Sequence, residues 1–260
     1  MDFENLAWRV EDGVGIVTFN RPKVLNAMNA RTFTELTQLL DEVERDPGVK
    51  ALVFTGAGDK AFVAGADIAA MAQMGPVEAR RFAETAHRLI ERLEQLPIPT
   101  IAAVNGFALG GGCEFAMGCD LVYASEKARF GQPEVNLGLT PGFGGSQRLT
   151  RRVGVGRALE MVLTGDHYDA ARAKEMGLAL EVLPPDQLLP HAIAQAKKIA
   201  SKGPVAVAVA KRLVHKGADA DLTVANELER QAFAGLFGSD DAKEGMKAFV
   251  EKRAAQWKGN

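Results

Sequence analysis

An α/β body followed by a helical tail is the fold class that the sequence predicts. Short β-rich runs alternate with helical periodicity up to Arg148, the strand signal nearly disappears beyond it, and a strongly amphipathic helix begins near Asp240. From the amino terminus, Val14 to Phe19 is a β-rich run preceded by the turn residues Asp12 and Gly13, which predicts an opening hairpin. A helix follows, capped by Asn29 or Thr32 with Glu35 as the capping-box carboxylate. Phe33, Leu36, Leu40 and Val43 recur in it at helical spacing until Pro47 stops it. Ala51 to Thr55 is a compact apolar strand, Ala79 to Leu96 the next helix, and Thr100 to Val104 and Leu121 to Ala124 are two further strands. Helical patterns then occupy 156–163, 169–176, 186–202, 205–216 and 220–236. In the last helix Met246, Phe249 and Val250 oppose Lys243, Glu244, Lys247 and Glu251. No fixed-period repeat or low-complexity segment is evident.

The chain has 260 residues, 47% of them hydrophobic and 25% charged. A chain of this size buries about three quarters of the surface that its unfolded form exposes. Composition alone leaves open one large domain or a main domain with an appendage. A formal net charge of -2 supplies no global field to draw in a polyanion, so neither nucleic acid nor an acidic membrane is an expected partner. No run reaches the ~20 apolar residues that cross a bilayer. The opening MDFENLAWRVEDG carries early acidic residues and lacks the apolar stretch of a signal peptide. Cys113 and Cys119 lie in one apolar stretch and suit reduced, buried thiols. A soluble, cytoplasmic protein is the expectation.

Three glycine-rich segments follow or border apolar strands: TGAGDKAFVAGADI at 55–68, VNGFALGGGCEFAM at 104–117 and LTPGFGGSQRL at 139–149. Glycine lets backbone approach a ligand closely. Any one of these alone reads as a tight turn, but three together favour a site. Gly110, Gly111 and Gly112 open a predicted helix directly after a strand and its turn. The unpaired N–H groups of a helix start, with the positive end of its dipole, suit an oxygen that becomes negative during reaction. A phosphate site competes for the same geometry. Neither GxxxxGK[ST] nor a GxGxxG at this strand end is present, which disfavours nucleotide hydrolysis and hydride transfer.

Glu114 lies inside that helix start, followed by Phe115, Ala116 and Met117. An arbitrary glutamate there more often faces water; one drawn into apolar surroundings has its pKa raised and is poised for proton transfer. Glu134, after Gly131, Gln132 and Pro133, is a second carboxyl in a rigid, partly apolar loop, and its weight depends on Glu114. Two carboxyls that share one water can divide the work of hydrating an activated double bond. Other chemistries fit less well. His87, His167, His191 and His215 fall in separate contexts without HExxH, so no metal site is expected. Ser146 lies in GGSQR rather than a GxSxG elbow, and Cys113 has no basic neighbour in sequence.

KAFVAGADI at 60–68, AAVNGFALGGGCEFAMGCD at 102–120 and GQPEVNLGLTPGFGGSQRL at 131–149 resemble the crotonase superfamily. NRPKVLNAMN at 20–29, LTGDHYDAARAKEMGL at 163–178 and EGMKAFVEKR at 244–253 are also similar to family segments, so the likeness spans nearly the whole chain. The resemblance implies a spiral of ββα repeats over residues 1–192 and a C-terminal helical trimerisation subdomain over 193–260. It implies an oxyanion hole from the N–H groups of Ala66 and Gly111, Glu114 activating water and Glu134 protonating the α-carbon. It places the acyl-CoA thioester along Ala64, Ala66, Asp67, Ile68, Pro133 and Gly142, with the adenine and phosphate end near Lys23, Val24 and Leu25. Phe249 and Lys252 are candidates to complete a neighbour's pocket in a trimer or a dimer of trimers. No cofactor is implied, since CoA is part of the substrate. Ala69 departs from the pattern, because some hydratases carry a lysine there.

The superfamily also holds isomerases, dehalogenases, thioester hydrolases and decarboxylases, so membership alone does not fix a reaction. Family isomerases usually keep one of the two glutamates, and both are present here. A 2-enoyl-CoA hydratase is therefore the first expectation. A branched dicarboxylic substrate such as 3-methylglutaconyl-CoA, a 2,3-enoyl-CoA isomerase and a non-catalytic acyl-CoA or RNA-binding protein follow in that order.

Overall fold

In the computed structural model, which describes residues 2–260, the chain opens on the expected hairpin. β1 (Leu6–Glu11) and β2 (Val14–Phe19) pair antiparallel with Leu6 opposite Phe19. The turn uses Asp12 at φ 49° and Gly13 at φ 79°, a left-handed pair whose twist matches that of the strands. α1 (Ala30–Arg45) is capped by Asn29, whose side chain accepts the Thr32 N–H at 2.9 Å. Thr32 closes the capping box from its own hydroxyl. Glu35, expected in that role, lies a turn further in because the helix starts at the earlier of the two candidate caps. It is fully buried and accepts the N–H groups of Glu4 and Asn5, each at 2.9 Å, tying the N-terminal segment to α1.

β3 (Ala51–Gly56), β4 (Ala61–Ala64), the short α2 (Ile68–Met71) and α3 (Pro76–Gln95) come next. They are followed by β5 (Thr100–Val104), β6 (Phe107–Leu109), α4 (Gly111–Gly118), β7 (Leu121–Ser125) and β8 (Arg129–Gly131). α5 (Gly145–Val153), α6 (Val155–Thr164), β9 (His167–Asp169), α7 (Ala170–Met176), β10 (Glu181–Leu183) and α8 (Pro185–Ala200) complete the body. The larger sheet has the order β1-β2-β3-β5-β7-β10 and the smaller one β4-β6-β8-β9. From β3 to β8 successive strands alternate between the sheets, with helix after each pair, so the chain advances as a spiral of ββα turns. All neighbours are parallel except the opening hairpin and β8 with β9.

The core positions the site. Phe115 on α4 meets Phe19 and Phe54 edge-on, each with ring centroids 5.1 Å away, and all three are buried. Edge-to-face pairs contribute about 0.5–1.5 kcal/mol each beyond their burial. Every residue of α4 is buried, so this helix is fixed between the sheets. On the other face of the large sheet, Leu188, Ala192 and Ala196 of α8 pack on Val14, Ile16, Val53 and Ile101. α8 is continuous through residues 192 and 193, so a boundary at that point falls inside a helix whose inner face belongs to the body.

α9 (Pro204–Ala218) and α10 (Leu222–Leu236) form a hairpin with no buried residue, and α11 (Asp240–Val250) follows. Lys211 and His215 of α9 attach the hairpin to the body. Both pair with Asp120, at 2.9 and 2.7 Å, and Lys211 also donates to the carbonyls of Leu93 and Ile98. Burial would raise the Asp120 pKa, but the His215 hydrogen bond and the Lys211 charge outweigh it and hold the carboxyl below its ordinary range. Among the described residues no helix is long and apolar enough to cross a membrane.

Candidate active site

The glycine-rich segments meet at the carboxyl ends of the small sheet. Ala64 lies opposite Leu109, and Leu109 opposite Gly131, so the chain leaves β4, β6 and β8 at adjacent points. Beyond β4, Met28 bridges Ala66: the Met28 N–H donates to Gly65 O at 2.9 Å and the Asp67 N–H to Met28 O at 2.8 Å. Met28 thus engages the peptide groups on either side of Ala66 and leaves the Ala66 N–H unused by this bridge. There Gly111 opens α4, and its N–H lies in the first turn, where no intrahelical acceptor exists. The two segments touch, since a Cβ on Gly110 would stand 4.0 Å from Gly65 Cα. The segments that carry Ala66 and Gly111 thus lie side by side, next to the positive end of the α4 dipole.

Glu114 is one turn into α4, where the helix is wholly enclosed, and it is 1% exposed. Its Oε1 accepts two backbone N–H groups, from Phe143 at 2.8 Å and Gly145 at 2.6 Å. Burial pushes its pKa up to about 7; the Gly145 amide opposes this, the charge of Glu134 adds to it, and the Phe143 amide and Arg148 oppose it. The solvated orientation open to a helix-start glutamate is therefore not the one adopted. Glu134 sits in a 3-10 turn over Pro133–Leu137, half-buried, and burial raises its pKa too. Its Oε1 lies 2.7 Å from the Cβ position of Gly110, a residue at φ 48° that has no side chain to block it.

Gln132, which sequence reasoning did not single out, is fully buried between the two carboxyls. With its amide nitrogen facing Glu134, as the hydrogen-bond network requires, it donates to Oε1 at 3.0 Å and Oε2 at 3.2 Å. The other end of the amide lies 2.9 Å from the Cβ position of Gly145, and Glu114 Oε1 lies 2.8 Å from that same position. Cys113 also adjoins the site, and burial with the charges of Glu114 and Glu134 pushes its thiol up to about 12, leaving it protonated at neutral pH. Among the described residues no three His, Cys, Asp or Glu side chains converge as a metal site. Proton transfer through one buried and one half-buried carboxyl, beside a helix start suited to a developing oxyanion, is the chemistry this arrangement can perform.

The sequence profile of enoyl-CoA hydratase/isomerase matches residues 9–260. The chain belongs to the enoyl-CoA hydratase/isomerase family. A short-chain-enoyl-CoA hydratase of Clostridium acetobutylicum is 47% identical over 253 residues, covering 97% of each chain. A mitochondrial enoyl-CoA hydratase of Pongo abelii is 48% identical over 94% of this chain and 83% of its own. The crystal structure of an enoyl-CoA hydratase from Bacillus anthracis superposes with a TM-score of 0.95 at 40% identity, covering 99% of this chain and 100% of the other. The family and the α/β spiral with its helical tail are thus as the sequence motifs implied.

In this family member the segments expected to hold CoA are joined to each other. The Ala64 N–H donates to Leu25 O at 3.0 Å, so the exposed turn of Lys23, Val24 and Leu25 lies beside the strand that leads to Ala66. Asp67 caps α2 and pairs with Arg21 at 3.2 Å; Ile68 and Ala69 are exposed. Pro133 begins the Glu134 turn, and Gly142 has open space where a Cβ would be. Phe249 and Lys252 are not brought to this site. They lie exposed at the end of α11, with Lys252 at φ 54°.

Proposed function

We propose that this chain is an enoyl-CoA hydratase that adds water reversibly to 2-enoyl-CoA to give 3-hydroxyacyl-CoA. The observation that carries this reading is the pair of carboxyls, both raised by burial, on either side of one amide and close to the adjoining segments of Gly65 and Gly110. Glu114 takes a proton from water as its oxygen bonds to C3. Electron density moves through C2 onto the thioester oxygen, where the N–H groups of Ala66 and Gly111 receive it. Glu134 then delivers a proton to C2. The aromatic edge of the site supports a short acyl chain: the Phe143 ring lies 2.7 Å from the Cβ position of Gly111 and packs edge-on against Phe33 and Phe82.

The substrate carries its own CoA and the reaction needs no separate cofactor. Free, buried Cys113 and Cys119 fit a reducing, cytoplasmic setting. The exposed apolar side chains of α9, α10 and α11 support assembly with further copies of this chain, as a trimer or a dimer of trimers in which Phe249 and Lys252 reach a neighbour's pocket. The direct test is loss of the conjugated ultraviolet absorbance of crotonyl-CoA, followed across a graded set of straight and branched enoyl-CoA thioesters. Glu114→Gln and Glu134→Gln should each lower kcat by roughly 10²- to 10⁴-fold with CoA binding retained. No turnover on any thioester would sink the hydratase reading, and wild-type kcat in either variant would sink that residue's role.

A further inference from the structure

Arg148 on α5 makes three contacts that converge behind Glu114. Its Nε and one Nη form a bidentate pair with Glu94 of α3, at 2.6 and 3.0 Å. The other Nη donates to the carbonyl of Phe143 at 3.2 Å. Phe143 and Gly145 are the residues whose N–H groups hold Glu114 Oε1, so one short stretch of backbone is gripped on both sides. Gly144 between them is at φ 101°, and a Cβ there would stand 2.1 Å from the guanidinium. The arginine therefore occupies the space that a side chain would need. It is 15% exposed and Glu94 is 26% exposed, which sets this pair apart from the freely solvated ones on the same helices, such as Arg80 with Glu84.

We infer that Arg148, clamped by Glu94, is a positioning residue for Glu114: it fixes the Phe143–Gly145 bracket that aims Oε1, and it places a positive charge, partly offset by Glu94, behind that carboxyl. The inference rests on the hydratase reading for its kinetic consequence but not for its electrostatics. An arginine suits the task because its planar fork engages Glu94 with two donors and leaves a third for the loop, which a lysine cannot reproduce. The other charged or titratable groups that face Glu114 or the bracket are Glu134 from the turn after β8, His87 from α3, whose ring lies 3.4 Å from the Cβ position of Gly144, and Cys113 from α4 itself. Arg152, one turn further along α5, instead donates to the carbonyls of Met117 and Cys119 at the far end of α4.

The sign of each substitution follows. Glu114 must be ionised to accept a proton from water, so activity falls as pH drops through its titration, and the limb belongs to the coupled pair with Glu134. Arg148→Met removes the positive charge and should move this acidic limb of kcat/KM up by about one pH unit. Glu94→Gln leaves the arginine charge uncompensated and should move the limb down. Arg148→Lys keeps the charge but not the fork, and its limb should return toward wild type while kcat stays reduced.

The experiment is a pH profile of kcat/KM on crotonyl-CoA for these variants. It is paired with a carbon-13 NMR titration of glutamate side chains, in which the Glu114 signal is assigned by its loss in Glu114→Gln. Opposite displacements in Arg148→Met and Glu94→Gln, seen in the NMR titration and in the rate, are the expected result. Displacements of the same sign, or none, would overturn the inference and leave a merely structural tie between α3 and α5. The NMR titration decides even if the unsubstituted protein turns over no enoyl-CoA, an outcome that counts against the hydratase reading alone. Should Arg148→Met fail to fold, the sign of the Glu94→Gln displacement decides by itself.

Discussion

Glu114 illustrates a side chain whose position opposes the stability of its own fold. Its ordinary carboxylate value of 4.5 becomes about 7 in the folded chain. A carboxyl whose folded pKa lies above its unfolded one holds its proton longer in the native state. The stabilisation is complete below the unfolded value and is lost as pH rises through the folded one. The window is therefore about pH 4.5 to 7, and its full span corresponds to about 3 kcal/mol. Glu114→Gln keeps an acceptor for the Phe143 and Gly145 amides and removes the charge. It should be more stable than wild type at pH 8 by up to about 3 kcal/mol, with a flatter dependence between pH 5 and 7 in chemical denaturation. Equal stability of the two proteins at pH 8 would contradict the burial argument. The glutamates were legible in the sequence through their apolar and glycine neighbours. Arg148 and the bracket were not, because Gly145 is 31 residues from Glu114 and Glu94 is 54 residues from Arg148, and no local pattern reports such contacts.

At the scale of elements, the packing of α4 against β4 sets the separation of the two main-chain donors. A Cβ on Gly112 would stand 1.9 Å from Val63 O and 2.7 Å from Val63 C, so backbone, not a flexible side chain, would have to move. Gly112→Ala should destabilise the protein by about 1–3 kcal/mol or more and lower kcat by displacing α4 from β4. Gly156→Ala, on α6 and away from the site, meets nothing within 4 Å and should melt and turn over like wild type. Comparable losses in the two variants would show that this separation is not the controlling quantity. The long elements of the body were legible from periodicity, including the hairpin, α1, β3, β5, β7 and α8. The partner strands β4, β6 and β8 have four, three and three residues, too few to show a period, which is why the repeating ββα turn was implied by the family resemblance and not by periodicity. The capping box was misread for a related reason: Asn29 and Thr32 are both competent caps, and the choice between them moves the reciprocal group from Glu35 to Thr32.

At the scale of the whole molecule, the helical tail leaves large apolar side chains uncovered in the single chain. Leu222 is 72% exposed, Phe233 64% and Phe249 86%, an apolar surface that a solitary soluble chain seldom presents. Sedimentation should give a mass three or six times that of one chain. Phe233→Asp should shift it toward the single chain while leaving the α/β body folded by circular dichroism. A single-chain mass for the unsubstituted protein would refute the assembly. The amphipathic pattern of the last helix announced an apolar face. What covers such a face depends on a surface elsewhere, so the sequence of one helix carries no signal for it.

The alternation of strands between two sheets distributes the chemistry along the chain in a particular way. Ala66 follows the first ββ pair, Gly111 and Glu114 the second, and Gln132, Glu134 and the Gly145 amide the third. Each coil donates a different part of the apparatus and none holds a working subset. On the proposed mechanism, refolding chains should stay inert until the third coil has closed on the others, so that the return of turnover would time the completion of winding.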